Sequence, residues 1–308
     1  MQVVIETFYQ IMGSLPHFAL LFIGLFLTKL VYDWTTPYKL SVELTERDNP
    51  AVGVSLGGYI LGAGIALSGV AVNFSLNPLQ DWLETGLAAL TIIVLMRLSV
   101  LINDAAVLYK FSISKEMVED RNVGVGFVVA GGSIATGLIL NGVLSGHNPS
   151  LGPTIRDICF YWALGQAILV LGGIFLQRIT SYDVHKVIGN QDNMPAGISF
   201  GGFLTALGFI TRSALRGATS SYAVESLTTL TLALFGLFLL LIAKIIADRV
   251  LLPDSPLAKE VVVDRNPAAG AIAAVSFIVV ALLFAAAIPH IPVQDILTND
   301  SMFKDFQP

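Results

Sequence analysis

Charged residues are scarce in this 308-residue chain. They make up 13% of it, whereas soluble domains average about 25%. Hydrophobic residues make up 55%, and the mean hydropathy is +0.76. The 17 basic residues are spread thinly, so the chain lacks the dense basic patch that a nucleic-acid surface needs. The composition therefore predicts a polytopic membrane protein whose first partner is the lipid bilayer, and it predicts no nucleic-acid partner.

Residues suited to metal binding and catalysis are also few. The one cysteine, Cys159, cannot form an internal disulfide. The four histidines, His17, His147, His185 and His290, are far apart and show no metal-ligand spacing. The chain contains no nucleophile elbow, phosphate-binding loop or zinc-protease motif. We therefore predict no metal, no cofactor and no catalytic residue, and we expect that the protein is not an enzyme.

Long apolar runs are what the chain has instead. Eight of them approach the length of about twenty residues that a bilayer-crossing helix needs, and apolar runs of this length favour helices over the alternating strands of a barrel. The loops between them are too short for a soluble domain. The predicted fold is an all-α polytopic membrane protein with eight transmembrane helices. The predicted spans are Leu15–Tyr32, Ala51–Phe74, Gly86–Leu108, Val123–Leu144, Ile158–Leu176, Ala196–Ile210, Ser226–Ile246 and Ala268–Ile288.

The basic residues predict an orientation. Twelve of the 17 flank the connections after spans one, three, five and seven. By the positive-inside rule these connections are cytoplasmic, which places both termini outside. No basic segment precedes the first span, so we predict no cleaved signal peptide. We expect a multi-pass protein of the cell inner membrane.

A repeat organises the spans. An Asn is followed four residues later by a Gly and then by an apolar run, and this happens four times, at steps of 73, 71 and 73 residues. The period fits a two-helix hairpin copied four times in parallel, with the half-chain copied once. We therefore predict two tandem four-helix domains, residues 1–150 and 151–308. The four pairs are Asn49 and Gly53, Asn122 and Gly126, Asn193 and Gly197, and Asn266 and Gly270.

The repeated Asn and Gly have a structural interpretation. Asn is a favoured N-cap and Pro a favoured first helical residue, as in Asn49-Pro50 and Asn266-Pro267. Small residues at intervals of four, such as Gly53 and Gly57, lie on one face of a helix and let a neighbouring helix approach closely. We therefore expect the second helices of the hairpins to pack against one another. The alternative is a ligand channel lined by bare backbone.

Several short motifs resemble a known family. They are the link Thr36–Tyr38, the helix starts Asn49–Gly53 and Asn122–Gly126, and the small-residue stretches Leu56–Gly58 and Ala130–Gly132. Together they resemble the family of small bacterial inner-membrane proteins typified by YjfL, a domain of unknown function. In that family a domain has about four helices, so the resemblance implies two tandem domains over nearly the whole chain. It implies no activity.

Arg97 is the clearest charge inside a predicted span. An intramembrane charge costs about 2.5–3.5 kcal/mol at the centre of a helix, so it indicates a site. Asp104 lies two turns later, about 10 Å away along the helix, so we expect Arg97 to meet a partner on another helix. One interpretation is a structural clamp, and the other is a substrate or ion path.

Aligning the repeats through their links exposes a second set of polar residues. One position near the end of each hairpin's first helix is polar in all four copies, and in two copies a Lys precedes it by four residues. That spacing favours ion pairs on the helix face, while the alternative is a polar ring around an axis. The position holds Asp33, Asp104, Gln177 and Asp248, and the lysines are Lys29 and Lys244.

A third aligned position lies near the other end of the second helices. It holds Ser68, Asn141, Arg212 and Ala285, which suggests divergence between the copies, with Arg212 and Arg216 meeting lipid phosphate outside.

The sequence is consistent with two kinds of function. One is a membrane-embedded subunit or scaffold of an envelope complex, with membrane or cytoplasmic protein partners or as a homo-oligomer. The other is a small-solute or ion transporter or channel that uses Arg97 and the aligned acidic residues. The parallel orientation of the copies favours the scaffold, since alternating-access transporters commonly have inverted repeats.

Overall fold

The structure, a computed structural model, describes residues 1–70, 78–145, 151–215 and 222–288. Eight helices in these ranges are long and apolar enough to cross a membrane, which confirms the predicted fold class, and no residue in the ranges lies in a strand. Two further helices, α4 and α9, are short. The helices are α1 (Gln2–Thr35), α2 (Pro50–Val70), α3 (Pro78–Ile102), α4 (Ile113–Val118), α5 (Val123–Ser145), α6 (Leu151–Ile179), α7 (Met194–Leu215), α8 (Tyr222–Ile246), α9 (Leu257–Val262) and α10 (Pro267–Ala287).

The long helices form two rows. In the inner row α5 packs between α2 and α7, and α7 packs against α10. In the outer row, α1, α3, α6 and α8 follow one another in the same order, each beside its own hairpin partner. The four hairpins therefore stand side by side in chain order, with α2 and α10 at the two ends of the inner row.

Burial differs between the rows. Helices α5 and α7 are the most buried of the eight, whereas α1 and α8 expose many large apolar side chains, such as Phe22 and Leu234. Apolar side chains exposed along a helix of this length suit the hydrocarbon of a bilayer. The protein is therefore a multi-pass membrane protein with a glycine-rich inner row and a lipid-facing outer row.

The connections within the hairpins all lie at one end of the bundle, which we call the link side. In the first and third hairpins a π-helical turn, Val42–Glu46 or Lys186–Asn190, precedes the repeated Asn. In the second and fourth hairpins the π-helical turn, Asn103–Val107 or Ala247–Leu251, ends the first helix instead. The hairpins thus alternate between two forms, so the half-chain is the larger repeated unit.

Candidate functional site

Each repeated Asn lies at the start of an inner-row helix. Its side-chain Oδ1 accepts a hydrogen bond from a main-chain N–H in the first turn, at 3.1 Å from Val125 to Asn122 and 2.9 Å from Ala196 to Asn193. Asn49 and Asn266 accept from the residue two positions later, at 3.1 and 3.0 Å. These bonds satisfy N–H groups that a helix start leaves without an intrahelical partner.

The residue before each Asn has a left-handed backbone. The φ angles are 48° at Asp48, 54° at Arg121, 47° at Asp192 and 50° at Arg265. Non-glycine residues rarely adopt this conformation, and here it recurs at one position in all four copies. The four inner-row helices are therefore each preceded by a left-handed residue at the same position.

The Asn side chains also join the copies. The Nδ2 amide of Asn49 donates to the carbonyl oxygen of Met117, at 2.9 Å. Asn122 donates to Ile188 at 2.7 Å, and Asn193 donates to Val261 at 2.9 Å. Each bond therefore runs from one hairpin to the link of the next. In the last copy Asn266 donates to Glu260 of its own link, at 2.9 Å.

The glycines of the inner row lie where two helix backbones meet. A Cβ atom on Gly126 would lie 2.6 Å from the carbonyl oxygen of Ala51, and one on Gly270 would lie 2.5 Å from that of Pro195. A Cβ on Gly197 would overlap the backbone of Gly124. Helix backbones in contact leave no room for a passage between neighbouring helices of this row.

The glycine face of α2 differs from the others. On α7, Gly197, Gly201 and Gly208 face the backbone of α5. The same positions of α2, 144 residues earlier, are Gly53, Gly57 and Gly64. A Cβ on Gly57 or Gly64 would meet nothing within 4 Å, and one on Gly53 would meet only a side chain, at 3.8 Å. We call this surface the free glycine face of α2.

The four aligned polar residues at the ends of the outer-row helices share one contact. Each accepts a hydrogen bond from the main-chain N–H of a link residue. The distances are 3.3 Å from Leu40 to Asp33, 3.3 Å from Ile113 to Asp104, 2.9 Å from Val184 to Gln177 and 2.6 Å from Leu257 to Asp248. A neutral Gln makes the same bond as the three carboxylates, so this contact needs an acceptor oxygen and not a charge.

These four residues do not converge. Each lies within its own hairpin, and the hairpins stand in a row. Lys29 forms an ion pair with Asp33 at 3.3 Å, with both side chains about one-third exposed. The positions found by aligning the sequence are thus equivalent in the structure, and they are distributed along the link side.

Arg97 meets α1. Its Nη2 donates to the carbonyl oxygen of Thr35 at 2.8 Å, and its guanidinium carbon lies 5.7 Å from the centre of the Tyr32 ring. Its Nε is buried without a hydrogen-bond partner. The partner of Arg97 is therefore a main-chain carbonyl and an aromatic face at the end of α1, and this contact clamps α3 to α1.

Two cavities lie at related places on the link side. One, of about 250 Å³, lies between the first two hairpins and is lined by Arg97, Asp104 and Tyr38. The other, of about 270 Å³, lies between the last two and is lined by Lys244, Asp248 and Tyr182. Burial raises the pKa of Tyr182 to about 12 and also raises that of Tyr38, so both phenols remain protonated at neutral pH. Each of these two cavities is thus lined by a cation, a carboxylate and a phenol.

The junction between the second and third hairpins is built differently. The imidazole Nε2 of His185 lies 2.8 Å from the carbonyl oxygen of Val107, and Nδ1 lies 3.2 Å from Oε1 of Gln177. Lys110 forms an ion pair with Asp183 across the same junction at 2.9 Å. His185 received no role from the sequence, because the histidines show no metal-ligand spacing. Comparing the four copies could have pointed to it, because His185 stands where the other copies have a small residue, namely Ser41, Ser114 and Ala258.

Three residues of the third aligned position form a polar row across the inner helices. The Nε of Arg212 donates to Oδ1 of Asn141 at 2.7 Å, and Nδ2 of Asn141 donates to the hydroxyl of Ser68 at 3.1 Å. The three side chains differ, and each donor lies beside an acceptor. The resulting hydrogen bonds join three hairpins at the end of the bundle opposite the links. Arg216, His147 and His290 lie outside the described residues.

The described residues contain no group of three or more His, Cys, Asp or Glu side chains placed to hold a metal ion. Cys159 is exposed.

Comparison with known proteins identifies a family. No curated protein and no solved structure matches the chain. A family model described as Domain of Unknown Function (DUF350) matches residues 6–144 and again residues 150–288. The two matches cover most of the chain and confirm the expected tandem pair. The chain therefore belongs to the DUF350 family, as two consecutive copies of its domain.

Proposed function

We propose that this protein is a non-catalytic, membrane-embedded scaffold subunit of an envelope complex, and that it assembles with a second copy of itself through α2. The observation that carries the proposal is the free glycine face of α2. Other inner-row glycines in the described part of the chain, such as Gly126, Gly197 and Gly270, lie against the backbone of a neighbouring helix.

The interfaces inside the chain indicate what kind of helix would pack on the free glycine face of α2. Helix α7 uses Gly197, Gly201 and Gly208 to receive α5, which runs parallel to it. Helix α2 carries Gly53, Gly57 and Gly64 in the same register. Small residues on parallel membrane helices favour close association. A surface of this kind continues the internal interface, so it suits another parallel helix with a small-residue face.

The other end of the inner row favours a symmetric pair over head-to-tail continuation. Gly58, Gly131 and Gly202 each face the next helix, and a Cβ at these positions would overlap that helix. The equivalent residue of α10 is Val275, which is 55% exposed. Its branched side chain prevents the same close approach to a following helix. The free face of α2 is therefore matched best by α2 of a second copy, around a twofold axis along the membrane normal.

Cysteine cross-linking in native membranes tests the assembly. In a Cys159→Ser background, we expect Gly57→Cys to form a disulfide-linked dimer of the chain, because this position has open space and would face its own copy. Val275→Cys, at the exposed face of α10, is the matched control and should remain monomeric. A Gly57→Cys protein that stays monomeric, or that links only to a different protein, would refute assembly through α2.

A second candidate is the transport of a small solute or ion. The pair of cavities on the link side favours it, because each half of the chain places a cation and a carboxylate beside a cavity. Cation flux into liposomes, compared between the wild type and Asp104→Asn, tests this function. Equal fluxes would remove the Asp104 cavity from any conduction mechanism.

A further inference from the structure

The outer-row helices α3 and α8 each bury an acidic residue near the end opposite the links. Asp81 is 5% exposed in α3, and Glu225 is 8% exposed in α8. Each is followed four residues later by a buried threonine, Thr85 at 3% and Thr229 at 1%. The two pairs are 144 residues apart, so they occupy equivalent places in the two halves of the chain.

Glu225 has no hydrogen-bond partner among the residues that the structure describes. Neither of its carboxylate oxygens accepts a hydrogen bond, and the hydroxyl of Thr229 is also unpartnered. Residues four apart lie on one face of a helix, so these polar groups are neighbours inside the bundle. The carboxylates with structural roles on the link side behave differently, since Asp33, Asp104 and Asp248 all accept hydrogen bonds.

Among the described residues, the charge that acts on Glu225 is also negative. On α6, Asp157 is close enough for the two negative charges to interact. Arg156, also on α6, donates to Asp157 at 3.3 Å, and the hydroxyl of Tyr222 donates to Asp157 as well. On α7, Arg212 donates to Asn141. Helix α10, which also packs against α8, contains no ionisable residue.

A buried carboxylate without a partner is costly when it is ionised, and it avoids the cost by holding a cation. We infer that Glu225 and Thr229 form a binding site for a small cation, either a proton or a bare alkali ion. The carboxylate supplies the charge and the threonine hydroxyl supplies a second oxygen.

The position of Glu225 makes binding reversible. It lies in the first turn of α8, where the positive end of the helix stabilises an anion. Loss of the cation is therefore less unfavourable than it would be at mid-helix. The inference does not depend on the scaffold function, because a scaffold and a transporter could both hold such a site.

Labelling with a hydrophobic carbodiimide, which modifies protonated carboxyls in apolar surroundings, tests the site. The purified full-length protein is labelled in nanodiscs between pH 6 and 9, with and without Na⁺ or K⁺, and the modified peptide is identified by mass spectrometry. We expect labelling of Glu225 that decreases as the pH rises. Protection by Na⁺ or K⁺ at constant pH would identify an alkali-ion site, and pH dependence alone would identify a proton site.

The control is Glu84, which is only partly buried on α3 and accepts a hydrogen bond from Gln80 at 2.9 Å. We expect no labelling there. Absence of labelling at Glu225 at every pH, or labelling equal to that of Glu84, would overturn the inference. Thermal denaturation tests the same site without the labelling reagent, so poor access of the reagent does not affect it. Binding to the native state raises the melting temperature of the wild type as cation concentration rises, and Glu225→Gln should remove that rise.

Discussion

The side-chain amide of Asn122 donates a 2.7 Å hydrogen bond to the carbonyl oxygen of Ile188, in the link of the next hairpin. Asn49 and Asn193 make the same bond to Met117 and Val261. One Asn thus caps the start of its own helix and also bonds to the next hairpin. The same side chain therefore stabilises both the fold of a hairpin and the packing between hairpins.

Replacing this Asn should destabilise the protein. Asn122→Ala leaves the buried carbonyl of Ile188 without its donor and removes the cap, and an unsatisfied buried group costs about 1–3 kcal/mol. The free energy of unfolding, measured by SDS titration in detergent micelles, should decrease by that amount. Asn266→Ala is the control, because among the described residues Asn266 bonds only within its own hairpin. Equal losses in the two variants would mean that the bond between copies contributes nothing.

Glycines between backbones should tolerate substitution least. Gly131→Ala places a methyl group against the backbone of Gly201, and overpacking of this kind typically costs about 1–3 kcal/mol. Gly13→Ala in α1 meets nothing within 4 Å, and Ala is favoured over Gly in a helix by about 1 kcal/mol. Thermal denaturation should therefore show a lower melting temperature for Gly131→Ala and an unchanged or higher one for Gly13→Ala. The reverse order would contradict the close packing of α5 and α7.

The bond between Asp104 and the N–H of Ile113 predicts a difference between two substitutions. Asp104→Asn keeps an acceptor oxygen, as Gln177 does in the third copy, and should retain most of the stability. Asp104→Ala removes the acceptor and should cost about 0.5–2 kcal/mol, as the loss of a helix cap does. Chemical denaturation of the two variants measures this difference. If both lose the same stability, the charge and not the hydrogen bond is what the position requires.

The ion pair between the second and third hairpins should depend on pH and salt. The Lys110 ammonium, which donates a hydrogen bond to Asp183, holds the pKa of that carboxyl below its ordinary value. A lowered pKa in the folded state contributes stability that is present above the ordinary aspartate pKa, about 3.9, and is lost as the pH falls through the folded value. Both groups are exposed, so the contribution should be small and should weaken in high salt.

Melting temperatures between pH 6 and 3 check this expectation, with Asp183→Asn as the comparison. The variant should lose the part of the acid sensitivity that Asp183 contributes. An identical pH profile for the wild type and the variant would show that the pair adds no stability.

Much of the fold could be predicted because its signals are local. Apolar runs longer than a bilayer is thick indicate spans whatever their neighbours, and Asn49-Pro50 marks a helix start through its own capping chemistry. The first span is the main difference. The sequence predicts it from Leu15, whereas α1 begins at Gln2 and continues through Pro16. The hydrophobic run indicates where a helix is apolar enough for lipid, and a helix can extend beyond that region.

The candidate site could be predicted only in part. Aligning the copies identified Asp33, Asp104, Gln177 and Asp248 as equivalent, but not what they contact, since the bonded N–H lies in a link of irregular backbone. The aligned Ser68, Asn141 and Arg212 suggested divergence because their chemistry differs. That difference is what lets a hydroxyl, an amide and a guanidinium form one hydrogen-bonded row across three helices.

By itself, the sequence determined that the chain crosses a membrane eight times, in four parallel hairpins that form two copies of one domain. Helix length, capping and periodicity are properties of neighbouring residues, so they can be read along the chain. Only the tertiary structure decided that the hairpins stand in a row, that α2 keeps a free glycine face, and that Glu225 is buried with no hydrogen-bond partner in the described part of the chain. These depend on which helices meet in the folded bundle, and on whether a Gly or a Val occupies the same place on successive helix faces.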